Sequence, residues 1–156
     1  GYRLLFGLLE HYQRRIGRGF DMDLYGSGPD AEAVGAKAVS LSTAGKFWGR
    51  LRMKGYADHA ALGAYKVFVN PSVTEVLCTT VAEALAMGKW VVCPKHPSND
   101  FFAQFPNCLQ YSSPDEFADA VHWALVHDPP PLLPEVRWFV IHFRSCPRVA
   151  VQTIQT

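Results

Sequence analysis

Residues 66–93, K-V-F-V-N-P-S-V-T-E-V-L-C-T-T-V-A-E-A-L-A-M-G-K-W-V-V-C, read as strand, polar loop, helix and strand, and that order decides the fold. Val67, Phe68 and Val69 form a short β-branched and aromatic run, which Asn70, Pro71 and Ser72 end. Thr79 or Thr80 is the expected N-cap of the following helix, with Glu83 three residues after Thr80 in capping-box register. Ala82, Leu85 and Ala86 give the helix its expected buried face, and Gly88 stops it. Residues 90–93 begin a second buried strand. Parallel strands need such a helical crossover, so this stretch predicts one βαβ unit of an α/β domain.

Two features of the unit bear on chemistry. The loop of residues 72–78 feeds a helix N-terminus, where free backbone N–H groups and the macrodipole favour an anion such as a phosphate. Glu75 and Glu83 stand eight positions apart, one in the loop and one a turn into the helix, so both can face a ligand lying over the helix start. The spacing alone leaves two structural readings open. Glu83 also fits a capping box, and Glu75 a solvated loop acid.

Working outward, residues 2–16 predict a helix, with Leu4, Leu5, Leu8, Leu9 and Tyr12 at helical spacing. Arg14, Arg15 and Arg18 crowd its carboxyl end, where cations suit the dipole; a basic lipid-binding patch is the sharper alternative. Residues 20–25 alternate as a strand does, Gly26-Ser27-Gly28-Pro29 turns the chain, and residues 30–40 make a small-residue helix. That turn resembles a dinucleotide fingerprint only in part. Position 31 is Ala31 rather than a third glycine, and no acidic residue ends a clear next strand.

Residues 46–54 read as a strand region whose Arg50, Arg52 and Lys54 form a solvated basic face or a contact for diphosphate or anionic lipid. Asp58 fits the N-cap of a short helix over 60–64. The turn-rich loop 94–99 lies at a strand's carboxyl end, the edge where open α/β sheets bind ligands, which makes Lys95 and His96 rim candidates. Residues 107–111 predict another strand. Ser113, Pro114 and Glu116 then supply a cap, a proline at N1 and a box Glu for a helix with Phe117, Val121, Ala124 and Leu125 on its core face.

At 156 residues the chain has the length of one domain with a real core. Its 49% apolar and 19% charged residues are those of a globular protein, and a formal charge of +1 gives no global steering toward nucleic acid. The cysteines at 78, 93, 108 and 146 form no CxxC pair, so reduced packing thiols are expected. No stretch approaches the ~20 apolar residues of a membrane helix. The chain starts on Gly1 without a signal-like segment, which reads as part of a longer protein.

Glu75-x7-Glu83, set between a strand ending in N-P-S and a helix ending in A-M-G, resembles the EX7E signature of retaining GT-B glycosyltransferases. K-V-F-V-N-P-S, C-T-T-V-A-E-A-L-A-M-G-K, V-V-C-P-K-H-P-S-N and F-P-N-C-L-Q-Y together are similar to the plant and algal digalactosyldiacylglycerol synthases. The resemblance runs over residues 1–128 and is most specific over 66–111. Residues 55–60, G-Y-A-D-H-A, are similar to that family's G-R-D-H-A segment but carry Tyr56 and Ala57 in place of a single Arg.

The resemblance implies a Rossmann-like parallel sheet with flanking helices, the C-terminal donor-binding half of a GT-B enzyme, over 1–128. Residues 129–156 are expected to be a divergent, Pro-rich, irregular tail, with four prolines at 129–134 and no likeness to the family from 136 onward. A misread exon or an alternative transcript would produce such a switch. The stretch 136–156 is expected to pack poorly.

The implied activity is transfer of galactose from UDP-galactose to monogalactosyldiacylglycerol with retention of configuration. Glu75, the catalytic candidate, would accept hydrogen bonds from donor-sugar hydroxyls. N–H groups near Cys78, Thr79 and Thr80 would meet the diphosphate, and Glu83 the ribose hydroxyls. Ser72 completes the donor-binding set, with Gly26, Gly28 and His96 at the rim. Carboxylates suit the sugar roles because they are acceptor-only groups.

No cofactor or metal is expected beyond the donor substrate, and no nucleic acid. The acceptor galactolipid is assigned to an N-terminal domain outside this chain, so the chain by itself is expected to be inactive. The expected location is the plastid outer envelope surface. Two alternatives stay open: another retaining GT-B enzyme using a UDP- or GDP-sugar, and a non-catalytic remnant that keeps only the nucleotide pocket.

Overall fold

The computed structural model describes residues 1–57, 59–73, 78–131 and 149–152. Among these, strands β1 (Met22–Tyr25), β2 (Leu51–Gly55), β3 (Val67–Val69), β4 (Trp90–Pro94), β5 (Cys108–Tyr111) and β6 (Val149–Gln152) form one sheet. Their order is β2-β1-β6-β3-β4-β5, and every described pairing is parallel. Helices α1 (Tyr2–Ile16), α2 (Ala31–Thr43), α3 (Thr79–Ala86) and α4 (Pro114–Val126) cover its two faces. The βαβ unit expected over 66–93 is present. Val67 pairs with Trp90, Phe68 with Val91 and Val69 with Val92, and α3 makes the crossover.

Side chains alternate along each strand, so the sheet has two cores. Met22, Leu24, Val67, Val69, Trp90 and Val92 face α1, α2 and α4. On the opposite face Phe68, Val91 and Cys93 pack with Leu62, Tyr65, Cys78, Val81, Ala84 and Leu85. The α1 periodicity buries Leu5, Leu9 and Tyr12, and Gly17 ends the helix in the left-handed conformation at φ 69°, donating its N–H to the Gln13 carbonyl. Arg15 forms a two-bond pair with Asp119 of α4 at 2.9 Å, so this member of the basic cluster ties two helices together. Ser113 caps α4 as expected, accepting the Glu116 N–H, while the Glu116 carboxylate accepts the Ser112 N–H.

Several expectations need correction. The buried side of α3 is Thr80, Val81, Ala84 and Leu85, whereas Ala82 is exposed and Ala86 half-buried. The helix starts earlier than its threonines suggested, because Cys78 is the N-cap, in extended conformation and without a side-chain cap bond. The first turn then rotates Val81 rather than Ala82 inward. Residues Pro97–Gln104 are a 3-10 helix where only a loop was expected, capped by His96. A second 3-10 helix spans His59–Ala64; Asp58, its expected cap, lies outside the described residues.

Within the tail, one short segment is regular: Val149–Gln152 is β6, paired on one side with β1 and on the other with β3. Central parallel strands favour short apolar runs, and Val149-Ala150-Val151 is such a run. The remainder of 129–156 beyond residue 131, including Cys146, lies outside the described residues.

Candidate functional site

The carboxyl ends of the strands define one edge of the sheet. At the end of β3, buried Asn70 donates its N–H to the Val92 carbonyl, and its Oδ1 accepts the Ser72 N–H at 3.0 Å. This Asx turn holds Ser72, itself buried, at the sheet edge. The chain then reaches the start of α3, where the first N–H groups of a helix have no intrahelical partner and point outward. The N-cap residue, Cys78, makes no cap bond with its side chain. Thr80 is fully buried, and its Oγ1 has no hydrogen-bond partner among the described residues.

Glu83 is half-buried on α3, five residues beyond the N-cap, and therefore outside capping-box register. It sits four residues after exposed Thr79, on the same helix face. Cα–Cβ bonds in a helix tilt toward its N-terminus, so residue 83 stands on the face that continues to the helix start. The capping-box reading is thereby removed. Glu75, the other half of the pair, lies outside the described residues.

Gly26 and Gly28 follow β1 on the same edge. Gly26 donates its N–H to the Gly55 carbonyl at 3.0 Å, and the Gly28 carbonyl accepts from Ala31 at the start of α2. One strand, β6, separates β1 from β3, so this turn stands about 10 Å across the sheet from Asn70. His96 follows β4, next to β3, but its imidazole is engaged. Its Nδ1 accepts the Ser98 N–H and lies 2.8 Å from the Ser98 hydroxyl, closing the 3-10 helix. Lys95 donates its N–H to the Tyr111 carbonyl, which ties β4 to β5 at the edge.

No spacing within one element signals the polar chain that lies beneath the β1 end. Asp23, 2% exposed, accepts from Arg52 Nε at 2.5 Å and from the Tyr65 hydroxyl at 2.7 Å, and Tyr65 meets the Tyr25 hydroxyl at 2.5 Å. Burial works to raise the Asp23 pKa, but the hydrogen bonds from Arg52 and Tyr65 prevail and hold it below the usual carboxylate value. Burial, with the hydrogen bonds to Tyr25 and Asp23, pushes the Tyr65 phenol upward. The Tyr25 carbonyl accepts the Tyr2 hydroxyl at 2.6 Å, so the start of α1 is fastened to the same strand end. Arg52, expected on a basic solvated face or against a diphosphate, spends its charge on Asp23 and Asp21. Alternation along β2 was legible, but the partner across β1 was not.

The three described cysteines are reduced thiols, with Cys93 and Cys108 in contact at 3.8 Å between sulfurs in the core below α3. The Cys93–Cys108 hydrogen bond, with burial, raises the Cys93 thiol, and the same bond lowers Cys108. Among the described residues no group of three His, Cys, Asp or Glu is placed to hold a metal ion, and no helix is long and apolar enough to cross a membrane.

A parallel sheet wound outward in both directions from its centre, with a helix start at its carboxyl edge, defines the Rossmann-like class of α/β domain. Within that class the chain belongs to the group 1 glycosyl transferases, the family described as "Glycosyl transferases group 1", whose pattern matches residues 4–127. It is 47% identical over 140 residues to digalactosyldiacylglycerol synthase 1, chloroplastic, of Lotus japonicus, covering 88% of this chain and 17% of that protein. Identity to synthase 1 of Arabidopsis thaliana is 47% over 135 residues, covering 86% of this chain and 16% of that protein. Identity to digalactosyldiacylglycerol synthase 2, chloroplastic, of Glycine max is 45% over 131 residues, covering 83% and 27%. The chain thus spans about a sixth to a quarter of the length of these relatives.

Proposed function

We propose that this chain is the nucleotide-sugar-binding part of a galactosyltransferase of galactolipid synthesis, which moves galactose from UDP-galactose to monogalactosyldiacylglycerol. The observation that carries the reading is the start of α3. The start of α3 lies at the carboxyl edge of the sheet, and Glu83 stands one turn into it on the same helix face as Thr79. Identity of 42–47% to digalactosyldiacylglycerol synthases over most of the chain supports the choice of reaction.

In this reading the N–H groups of Cys78, Thr79 and Thr80 hold the diphosphate, as helix N-termini hold anions generally. They stabilise the charge that builds on the leaving nucleotide. Glu83 accepts hydrogen bonds from the ribose hydroxyls. Glu75 does the same for the donor sugar, and the Asn70 turn fixes Ser72 at the sheet edge. Helix N–H groups offset the phosphate charge, so the donor site works without a metal ion. The acceptor lipid is held by another part of the parent protein, which acts at the plastid outer envelope surface.

Calorimetric titration of the chain with UDP, UDP-galactose, UDP-glucose and GDP-mannose tests the reading. UDP and UDP-galactose should bind, and GDP-mannose should not. A preference for UDP-glucose or GDP-mannose would assign the chain to another sugar transferase, and no binding by any nucleotide would overturn the donor site. Galactosyl transfer by the longer parent protein then separates an enzyme from a remnant that only binds.

A further inference from the structure

Alternation along β4 and β5 turns Cys93 and Cys108 to the α3 face of the sheet, while Leu109 and Tyr111 go to the other. The two sulfurs stand 3.8 Å apart and share a hydrogen bond. Cys93 is 0% exposed, whereas Cys108 is half-buried at the start of β5, the outermost strand. One residue of the pair thus keeps some exposure, and the other is sealed behind it. The bond between them raises the Cys93 thiol and lowers that of Cys108. Because the thiolate is the form that reacts, this is the asymmetry of a reactive cysteine and a resolving partner.

The pair is diagonal. Cys93 stands opposite Gln110 and Cys108 opposite Val91, so the two are offset along the paired strands. Diagonal neighbours stand roughly 7 Å apart at Cα, the upper end of what a disulfide spans. Closing the sulfurs to bonding distance therefore draws β5 along β4. Among the described residues β5 is paired on one side only, which leaves it room to move. Asn107 resists the movement. Its Nδ2 donates to the Leu85 and Lys89 carbonyls at 3.2 and 2.8 Å, joining the start of β5 to the end of α3. A bridge formed under that restraint is strained, and strained disulfides are easily reduced.

We infer that Cys93 and Cys108 form a dithiol site for hydrogen peroxide, which closes to a reversible disulfide between β4 and β5. The Cys108 thiolate attacks one peroxide oxygen. An S–O bond forms, the O–O bond breaks, and the second oxygen leaves as hydroxide, which takes up the proton that Cys108 released. The Cys93 sulfur then displaces the oxygen of this sulfenic acid. An S–S bond forms, the S–O bond breaks, and the oxygen leaves as water with the Cys93 thiol hydrogen. One peroxide and two thiols give one disulfide and two waters, with two electrons passing from sulfur to oxygen. No step involves a nucleotide, so the inference stands or falls separately from the donor site.

The test treats the full chain, folded and reduced, with dilute hydrogen peroxide. Remaining thiols are then alkylated in denaturant, and the chain is cut with trypsin without reductant. The four cysteines fall in separate peptides, 67–89, 90–95, 96–137 and 145–148, so mass spectrometry assigns each thiol. Peptides 90–95 and 96–137 should appear joined, with 67–89 and 145–148 alkylated. Reduced glutathione added before alkylation should part the joined pair. Unjoined 90–95 and 96–137 after peroxide would overturn the inference. So would a bridge from either to another cysteine, or one that survives glutathione. Two variants then check the order of events, with thermal melts to confirm their folding. In Cys93→Ala the Cys108 sulfenic acid should persist and be trapped by dimedone, whereas Cys108→Ala should leave Cys93 labelled about tenfold less. Equal trapping in the two variants would overturn the assigned site, and the peroxide result on the unsubstituted chain decides it even where a variant fails to fold.

Discussion

Replacing Asp23 by Asn isolates the buried polar chain under β1 without changing volume. The carboxylate is 2% exposed and receives two charge-assisted or polar bonds, from Arg52 at 2.5 Å and Tyr65 at 2.7 Å. Removing one partner of a fully buried pair costs about 3–5 kcal/mol. Arg52 remains about one-third exposed at 32% and can rehydrate, so the value for hydrogen bonds to a charged group, about 1.5–3 kcal/mol, is the better guide. A loss of about 2 kcal/mol lowers the midpoint of thermal unfolding by roughly 4–8 °C in a chain of this size.

Urea unfolding of both proteins at pH 7 measures the difference. The same pair measured in acid adds a check on cause. The folded pKa of Asp23 lies below its unfolded value of about 3.9, so its contribution is present above that value and fades as pH falls through the folded pKa. The gap between Asp23→Asn and the unsubstituted chain should therefore narrow below about pH 4. A difference under about 0.5 kcal/mol at pH 7, or one that is unchanged in acid, would refute the assignment of stability to this charge.

Three further outcomes follow from the packing. Asp21→Asn should cost less than about 1 kcal/mol by the same unfolding assay, because Asp21 is 31% exposed and its pair with Arg50 is screened by solvent. Phe68→Ala should cost about 3–5 kcal/mol, since Phe68 is 1% exposed in the core of the α3 face. Ser113→Ala should cost about 1 kcal/mol through loss of the bond its hydroxyl accepts from Glu116, and Ser113→Asp should restore it; circular-dichroism melts report both.

The sequence showed the fold wherever the signal was local. The run Val67–Val69, the glycine stop at Gly88 and the Ser113-Pro114 start each act within a few residues, and β3, β4 and α4 lie where they were expected. The start of α3 was misread because threonines are good caps in general, yet here Thr80 is needed in the core beside Val81 and Ala84. β6 was misread for the opposite reason. Its placement is set by the two strands it joins, more than eighty residues earlier in the chain, and nothing near Val149 announces them. In the site, spacing placed Glu83 on the helix but left its role open, and only the observed N-cap at Cys78 moves it out of capping-box register. The Asp23, Arg52 and Tyr65 group needed three elements to converge, which no spacing within one element can show.

The central claim is that the start of α3, with Glu83, holds a nucleotide. Glu83→Gln keeps the size of the side chain but leaves one acceptor oxygen and an NH2 group in place of a charged acceptor. Charge-assisted hydrogen bonds are worth about 1.5–3 kcal/mol, roughly a ten- to hundredfold change in affinity. UDP titration into the unsubstituted chain and into Glu83→Gln, with unfolding curves to confirm that both are folded, should show that weakening. Equal UDP affinity in the two proteins would remove Glu83 from the site and contradict the account.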